Sequence, residues 1–456
     1  MISDGPNILF ILADDLGWGD VGYHGSAIRT PNIDRLVEGA VELDQHYVQP
    51  MCTPTRTALL TGRYPGRFGA HATVPTNSPV LPDGYETLAT SLRNAGYDTG
   101  LFGKWHLGSS PQYAPNRYGV NASYGSLAGG VDPYNHRYKT GRYSRTWHRN
   151  GELVEERGHV TDLIVNEAVS WIESRREPWF CYVPFTAVHV PVRAPHQWLA
   201  TYESGSYDDD PGKDRSYKDY AAYASHMDDA VGRLLEALMR VDQLQNTIVV
   251  FSSDNGAQRD NSSEQAALYP GLQEANLRLG SNLPLRGHKA QLYEGGIRTP
   301  SLISWPGALE PGKVSTPMHI VDWMPTLTRL IGYEPGDDPL WDGVDIWSVL
   351  ASERNRGGED RTVSWNFRNS NFAVRRGDWK LITRETDGGW GDTQLYDLGS
   401  DPHETADLAS KHPETVSQLL RIVMESRELD GASARPDAPT NAGSPIFVGG
   451  PDPGSR

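Results

Sequence analysis

The sequence NILFILADD at residues 7–15 joins six consecutive apolar residues to two aspartates. An unbroken apolar run of this length is typical of a strand that is covered on both faces, as in a parallel sheet. Three later runs also end in polar side chains: residues 99–102 precede Lys104 and His106, residues 179–185 precede His189, and residues 247–251 precede Asp254 and Asn255. Ligands bind beyond the carboxyl ends of parallel strands, so these clusters predict one composite site.

Amphipathic segments between the runs predict helices at residues 86–95, 161–175 and 217–239. Alternating strands and helices indicate an α/β fold with a large mixed, mostly parallel sheet sandwiched by helices. After residue 355 the pattern changes to short strands separated by Gly and Asn turns, followed by one amphipathic stretch. We therefore predict a catalytic α/β domain at 1–355, a smaller C-terminal α+β subdomain with an antiparallel sheet and a helix at 356–430, and a Pro/Gly-rich tail at 431–456.

The composition predicts a globular protein with an acidic surface. The 456 residues include 42 Lys and Arg against 58 Asp and Glu, which gives a formal net charge of −16. Such a surface repels nucleic acid and anionic membranes, so we expect no nucleic-acid partner. No apolar run approaches the ~20 residues of a membrane span. The first residues lack the features of a signal peptide, which predicts a cytoplasmic protein if Met1 is the native start and a periplasmic or secreted one if a signal was removed.

The chain has two cysteines, Cys52 and Cys181, which excludes a disulfide framework. Cys181 lies in an apolar run and is predicted to be a core residue, with a single Cys52–Cys181 bridge as the alternative. Cys52 begins the sequence Cys-Thr-Pro-Thr-Arg, in which Pro54 suits the first turn of a helix and Gly62 suits its end. A helix N-terminus with Arg56 one turn away favours an anion at Cys52. A structural cysteine or a thiolate nucleophile would also fit this position.

Four of the strand-end residues are candidate metal ligands. Asp14, Asp15, Asp254 and Asn255 offer only hard oxygen atoms, and no histidine or cysteine adjoins either pair. This set suits calcium, or magnesium, and does not suit zinc. The alternative is that both pairs are turns at the ends of strands.

The motif Cys52-x-Pro54-x-Arg56, followed by Thr61-Gly62-Arg63, resembles the signature of the formylglycine-dependent sulfatases of the alkaline phosphatase superfamily. The resemblance covers essentially the whole chain and implies an alkaline phosphatase-like fold. Other matching stretches are residues 14–17, 30–34, 103–108, 253–256 and 285–289. Within the family, residues 20–28, 49–52 and 319–327 are most similar to the arylsulfatase B branch, which acts on N-acetylgalactosamine 4-sulfate.

The resemblance implies that a maturation enzyme converts Cys52 to formylglycine (3-oxoalanine), whose oxygen completes the calcium shell. It also implies a catalytic set made of Cys52, Arg56, Lys104, His106, His189 and Lys289. Arg56 would hold the formylglycine hydrate, while Lys104 and Lys289 would bind the sulfate oxygens. One hydroxyl of the hydrate would attack sulfur while His189, with Lys289, protonates the leaving alcohol. His106 would then take a proton from the second hydroxyl, and sulfate would leave.

Substrate contacts are predicted in the long segment at residues 116–150, which is rich in Tyr, His and Arg. Its candidate sugar-binding residues are Asp132, Tyr134, His136 and Arg137, and His288 is a further candidate. The alternative is a surface loop stabilised by its aromatic residues. We expect a sulfatase acting on a sulfated small molecule or saccharide, either N-acetylgalactosamine-4-sulfate-like or another polysaccharide-derived sugar.

Two other functions remain open from the sequence. One is a phosphodiester or phosphonate monoester hydrolase of the same superfamily, which a comparison of aryl phosphate and aryl sulfate turnover would reveal. The other is a carbohydrate-binding protein without activity. That alternative predicts the loss of site residues, and every position that we matched keeps its residue.

Overall fold

The computed structural model describes residues 5–72, 79–140, 144–176, 178–269, 275–335, 340–352 and 361–431. The strands in chain order are β1 (Asn7–Ala13), β2 (Val41–Leu43), β3 (His46–Tyr47), β4 (Asp98–Lys104), β5 (Ala122–Ser126), β6 (Trp147–Arg149), β7 (Glu152–Leu153), β8 (Trp179–Pro184), β9 (Thr247–Ser253), β10 (Leu302–Ser304), β11 (Gly312–Val314), β12 (Met318–His319), β13 (Thr362–Phe367), β14 (Asn371–Arg376), β15 (Trp379–Thr386) and β16 (Gly389–Asp397). The α-helices are α1 (Pro31–Glu38), α2 (Cys52–Thr61), α3 (Leu88–Asn94), α4 (Val160–Glu173), α5 (His196–Leu199), α6 (Pro211–Arg240), α7 (Ser263–Ala266), α8 (Glu294–Ile297), α9 (Trp323–Leu330), α10 (Trp347–Leu350) and α11 (Pro413–Glu428).

A ten-stranded sheet forms the centre of the molecule, in the order β11-β2-β10-β9-β1-β8-β4-β5-β6-β7. The five consecutive strands from β9 to β5 pair in parallel. Antiparallel strands lie outside them: β10 beside β9, and β6 beside β5. The predicted mixed, mostly parallel sheet is therefore confirmed.

Strand β1 shows why the central runs are apolar without interruption. Leu9 and Ile11 pack into a core with α4 and α6 on one face of the sheet. Ile8, Phe10 and Leu12 pack into a second core with α2, α3 and α9 on the other face. Because successive side chains of a strand point to opposite faces, a strand between two helical layers needs apolar residues at every position.

Two of the predicted helices have boundaries close to those observed, and the third is longer. Helix α6 begins at Pro211, six residues before the predicted start, because the Asp210 carboxylate caps it by accepting hydrogen bonds from Gly212 and Lys213. Helix α2 begins at Cys52 and ends at Thr61, and the next residue, Gly62, has a φ of 66°, which favours glycine. Within the described ranges, no helix combines the length and apolarity that a membrane crossing requires.

The C-terminal part contains a separate four-stranded antiparallel meander, β13-β14-β15-β16. Helix α11 packs on one face of this sheet through Leu419 and Val423. The other face packs against the catalytic part through Val363 and Trp365. The predicted domain boundary at 355 lies outside the described residues, as does the predicted tail apart from Gly431.

Candidate active site

The ends of β1, β9 and β8 meet at one edge of the sheet. Ala13 and Ser253 are register partners, so Asp14 and Asp254 leave neighbouring strands side by side. The Asp254 amide donates to the Ala13 carbonyl at 3.0 Å, and the Asp14 amide donates to the Ala187 carbonyl at 2.9 Å. These bonds fix the backbone from which the polar side chains project.

Each carboxylate of this cluster is paired with a cation whose side chain is at most 9% exposed. Lys104 Nζ lies 2.5 Å from Asp14 Oδ2, and Arg56 donates to Asp254 Oδ2 at 2.7 and 3.1 Å. Lys289 Nζ lies 2.7 Å from both carboxylate oxygens of Asp15. The sequence suggested separate acidic and basic sets, but the structure interleaves them because burial of a charge requires a partner.

Two oxygen atoms in the cluster lack a hydrogen-bond partner although they are buried: Asp14 Oδ1 and Asn255 Oδ1. The Asn255 amide nitrogen donates to Asp15 Oδ1 at 2.7 Å, which leaves its oxygen available. The Sγ atom of Cys52 and carboxylate oxygens of Asp14 and Asp254 all lie within 4.8 Å of one another. Unpartnered buried acceptors are costly, so these hard oxygens fit a cation such as calcium.

The pKa shifts of Asp14 and Asp15 also indicate that positive charge is missing beside Asp14. Burial and the neighbouring Asp254 raise the pKa of Asp14 to about 8. For Asp15, burial opposes ionisation, but Lys289 and His189 outweigh it and hold the pKa below its ordinary value. The uncompensated negative charge therefore lies on the side of Asp14, where the unpartnered oxygen is located.

Cys52 is the first residue of α2 and is buried, with 2% of its surface exposed. Burial raises the pKa of its thiol, although Lys104 and Lys289 oppose the rise. A thiolate nucleophile requires the opposite shift, so this environment does not favour the thiolate alternative. Both Cys52 and Cys181 are unbridged, which excludes the alternative disulfide.

Two histidines flank the cluster and are neutral in this environment. Burial and the charges of Lys104 and Arg56 hold the pKa of His106 well below its ordinary value, and its Nδ1 has no hydrogen-bond partner. Burial and Lys289 do the same to the pKa of His189. His189 Nδ1 donates to the Val190 carbonyl at 2.6 Å, so the free lone pair is on Nε2, which lies 3.9 Å from Asp15 Oδ2.

Two glycines that we did not single out from the sequence lie against these histidines. A Cβ on Gly129 would approach His106 Nε2 to 2.2 Å, and one on Gly130 would approach His189 Nδ1 to 3.1 Å. These two glycines follow β5, which is one of the five parallel strands. The strand-end rule could therefore have indicated that they lie at the site. Tyr269 and Lys139 are further neighbours that the sequence did not indicate; the Lys289 charge, together with burial, lowers the pKa of Lys139.

Replacing Gly129 with alanine should reduce kcat, because the new methyl group would displace the His106 ring. Displacements of about 1 Å at a reacting group cost up to about 100-fold, so we expect a loss of about 10- to 100-fold. Gly312→Ala is the matched control, since no atom lies within 4 Å of its Cβ position. Steady-state kinetics with thermal melting distinguishes the two; unchanged kcat in Gly129→Ala would contradict the placement of His106.

The structure gives each predicted sugar-binding residue partners within the protein, some in the same loop and others in distant segments. Asp132 accepts hydrogen bonds from the Tyr134 and Asn135 amides, each at 2.9 Å, and pairs with Arg193. Tyr134 lies under the Arg193 guanidinium. Three further contacts involve the other candidates: His136 stacks on Trp147, Arg137 pairs with Glu155, and His288 contacts the Lys289 carbonyl. A sugar-binding role for these residues stays a prediction.

Comparison with known proteins agrees with this geometry. A family model described as Sulfatase matches residues 6–333. Arylsulfatase J of Mus musculus is 31% identical and aligns with 91% of this chain and 75% of its own length. N-acetylgalactosamine-6-sulfatase of Homo sapiens is 31% identical, with coverages of 93% and 86%. The crystal structure of Ps i-CgsB in complex with k-i-k-neocarrahexaose has a TM-score of 0.81 at 28% identity, over 93% of both chains. The chain therefore belongs to the sulfatase family, and it is a sulfuric ester hydrolase.

Proposed function

We propose that this enzyme removes a sulfate ester from a sulfated saccharide, using formylglycine formed from Cys52 and a bound calcium ion. The observation that carries the proposal is the single buried cluster in which Cys52 meets Asp14 and Asp254. The two unpartnered oxygens beside it, Asp14 Oδ1 and Asn255 Oδ1, support an ion at this position. Asp14, Asp15, Asp254 and Asn255 would hold calcium, which would polarise the sulfate group.

The cationic side chains support binding of an anionic substrate in an otherwise acidic protein. Lys104 and Arg56 are fully buried around the carboxylates and the Lys289 side chain is 9% exposed, so their charges act in a medium of low polarity. With calcium bound, the combined positive charge of the ion and the three cationic side chains would exceed the negative charge of the three aspartates. A dianionic transition state would therefore be stabilised locally, against the net charge of −16.

The two histidines fit the two proton transfers that a sulfatase must perform. His189 Nε2 carries the free lone pair, so this atom would hold the proton that goes to the leaving alcohol. A bound sulfate would raise the pKa of His189 through its negative charge and favour the protonated ring. His106 is neutral with an unpartnered Nδ1 and would accept a proton as the sulfate group is released. A hydrated aldehyde at position 52 would supply the hydroxyl nucleophile.

For the substrate, we propose a 6-O-sulfate on an N-acetylgalactosamine-type sugar. The support is the relative from Homo sapiens, named for 6-sulfate and aligned over most of both chains. A second relative named N-acetylgalactosamine-6-O-sulfatase, from Bacteroides thetaiotaomicron, gives the same indication. This proposal replaces the 4-sulfate that we expected from the resemblance to the arylsulfatase B branch.

Turnover of a panel of defined esters tests the proposed function. We expect sulfate release from N-acetylgalactosamine 6-sulfate to be faster than release from the 4-sulfate isomer. An aryl phosphate should be cleaved more slowly than the matched aryl sulfate; the reverse order would favour a phosphoester or phosphonate hydrolase.

A metal titration provides a readout that does not depend on activity. Enzyme stripped of metal should gain melting temperature when calcium is added, because a ligand that binds only the folded state stabilises it. An Asp14→Asn variant should show a smaller gain. If neither calcium nor magnesium raised the melting temperature of the wild-type enzyme, this result would contradict the proposed ion.

A further inference from the structure

Buried tyrosine hydroxyls without a hydrogen-bond partner call for a physical explanation, because an unsatisfied buried donor costs about 1–3 kcal/mol. Within the described ranges the tyrosines of this kind are Tyr23, Tyr182 and Tyr269. Tyr23 is influenced by Glu42 and Asp34, and Tyr182 lies within strand β8. Tyr182 also lies near a catalytic candidate, Arg56. Tyr269 differs from both because its hydroxyl and His189 lie against the same glycine, Gly130.

The position of the Tyr269 hydroxyl is defined by Gly130 and His189. A Cβ on Gly130 would lie 2.7 Å from this hydroxyl and 3.1 Å from His189 Nδ1. The phenol group therefore reaches the neighbourhood of the ring that is proposed to protonate the leaving alcohol. Only glycine at position 130 leaves the intervening space open, since any side chain would collide with the Tyr269 hydroxyl.

Two segments of the chain hold the Tyr269 ring in place. The ring of Tyr138 meets it edge-on, with centroids 6.0 Å apart, and only 4% of the Tyr269 surface is exposed. The Thr140 amide donates to the Leu268 carbonyl at 2.7 Å, which joins the segment after β5 to the segment after α7. The Tyr269 ring is therefore held in place from two segments, and its hydroxyl stays beside Gly130 and His189.

The charges around Tyr269 keep its hydroxyl protonated. Burial raises its pKa well above the ordinary value, and Tyr138, Asp14 and Asp15 add to the rise. The hydroxyl is therefore a neutral donor. Lys104 and Lys289 would bind the sulfate group through their charges, whereas a neutral donor beside His189 suits an uncharged oxygen on the leaving-group side.

We propose that Tyr269 is a specificity-determining residue whose hydroxyl donates a hydrogen bond to a sugar hydroxyl next to the sulfate ester. This inference rests on the proposed function, because it assumes that His189 faces the leaving alcohol. The Tyr269 hydroxyl then selects saccharide esters over simple aryl esters, which have no hydroxyl at that position.

The test compares kcat/KM of Tyr269→Phe with that of the wild-type enzyme on two substrates, N-acetylgalactosamine 6-sulfate and 4-nitrophenyl sulfate. Loss of one neutral hydrogen bond corresponds to about tenfold, so we expect kcat/KM for the sugar sulfate to fall by about tenfold or more. On the aryl sulfate it should change by less than about twofold, since that substrate does not use the hydroxyl. Tyr23→Phe is the matched control, because it also removes a buried, unpartnered phenol hydroxyl, and it should leave both values unchanged.

Two results would overturn the inference: equal losses on both substrates, which would place the hydroxyl on the shared sulfate group, or no loss on the sugar sulfate. Failure of the proposed function looks different, because the wild-type enzyme would then release no sulfate from N-acetylgalactosamine 6-sulfate, whatever its rate on the aryl sulfate.

Discussion

We expect replacement of Cys52 with alanine to abolish sulfate ester hydrolysis while the protein keeps its fold. Removal of a nucleophile lowers kcat by factors that reach about a million in well-studied hydrolases, so we expect a loss of at least about 10,000-fold. The fold should persist because alanine is a good helix former and fits the first position of α2. Initial rates on an aryl sulfate, with circular dichroism of the variant, measure both expectations.

The second cysteine provides the matched control for this experiment. Cys181 is also fully buried, in β8, with no role in the proposed chemistry. Cys181→Ala should keep its activity and lose only about 1 kcal/mol of stability from the missing sulfur atom. An aldehyde-reactive hydrazide should label the wild-type enzyme and Cys181→Ala but not Cys52→Ala. Full activity in a preparation whose Cys52 peptide carries an unmodified thiol would refute the proposed nucleophile.

Replacing Lys380 with methionine should destabilise the protein more than any surface substitution. Lys380 Nζ lies 2.8 Å from a carboxylate oxygen of Glu294 and 2.8 Å from one of Glu404, and all three side chains are fully buried. Without the ammonium, two carboxylates would face each other in the interior between the C-terminal sheet and α8. Removing one partner of a buried ion pair costs about 3–5 kcal/mol, which chemical denaturation would measure.

A lysine at the surface offers the control for this variant. Lys313 also lies between two carboxylates, Glu42 at 3.1 Å and Asp44 at 2.8 Å, but its side chain is 51% exposed. Lys313→Met should cost no more than about 1 kcal/mol, because water solvates the carboxylates that it leaves behind. Equal costs for the two variants would contradict a structural role for the buried cluster.

The cost of Lys380→Met should also depend on pH. Burial already raises the pKa of Glu404, and Lys380 is the nearest charge that opposes this rise. In the variant, the folded state would bind protons more tightly than the unfolded state, so folding stability falls as pH rises above the unfolded pKa. We therefore expect a larger deficit at about pH 7 than at about pH 5, where the carboxyl groups are closer to neutral.

The sequence alone predicted the central strands, because a strand covered by helices on both faces must be apolar throughout. The prediction for β1 matched the observed limits of Asn7 and Ala13, and the start of β9 at Thr247 was also correct. The strand-end rule predicted that Asp14, Asp254 and His189 lie at one edge of the sheet. The cysteine motif indicated the family because a helix start, an arginine one turn later and a closing glycine are local features.

Only the tertiary structure showed how these side chains partner one another. Lys104 pairs with Asp14, whereas Lys289 pairs with Asp15, and no spacing along the chain distinguishes these pairings. The tertiary structure also brought Gly130 and Tyr269 to His189, from positions about 60 and 80 residues away along the chain. Backbone pattern depends on neighbours in sequence, while burial, unpartnered atoms and pKa shifts depend on neighbours in space. The sequence was therefore sufficient to predict the fold and the family, whereas the partners of the buried side chains were determined only by the tertiary structure.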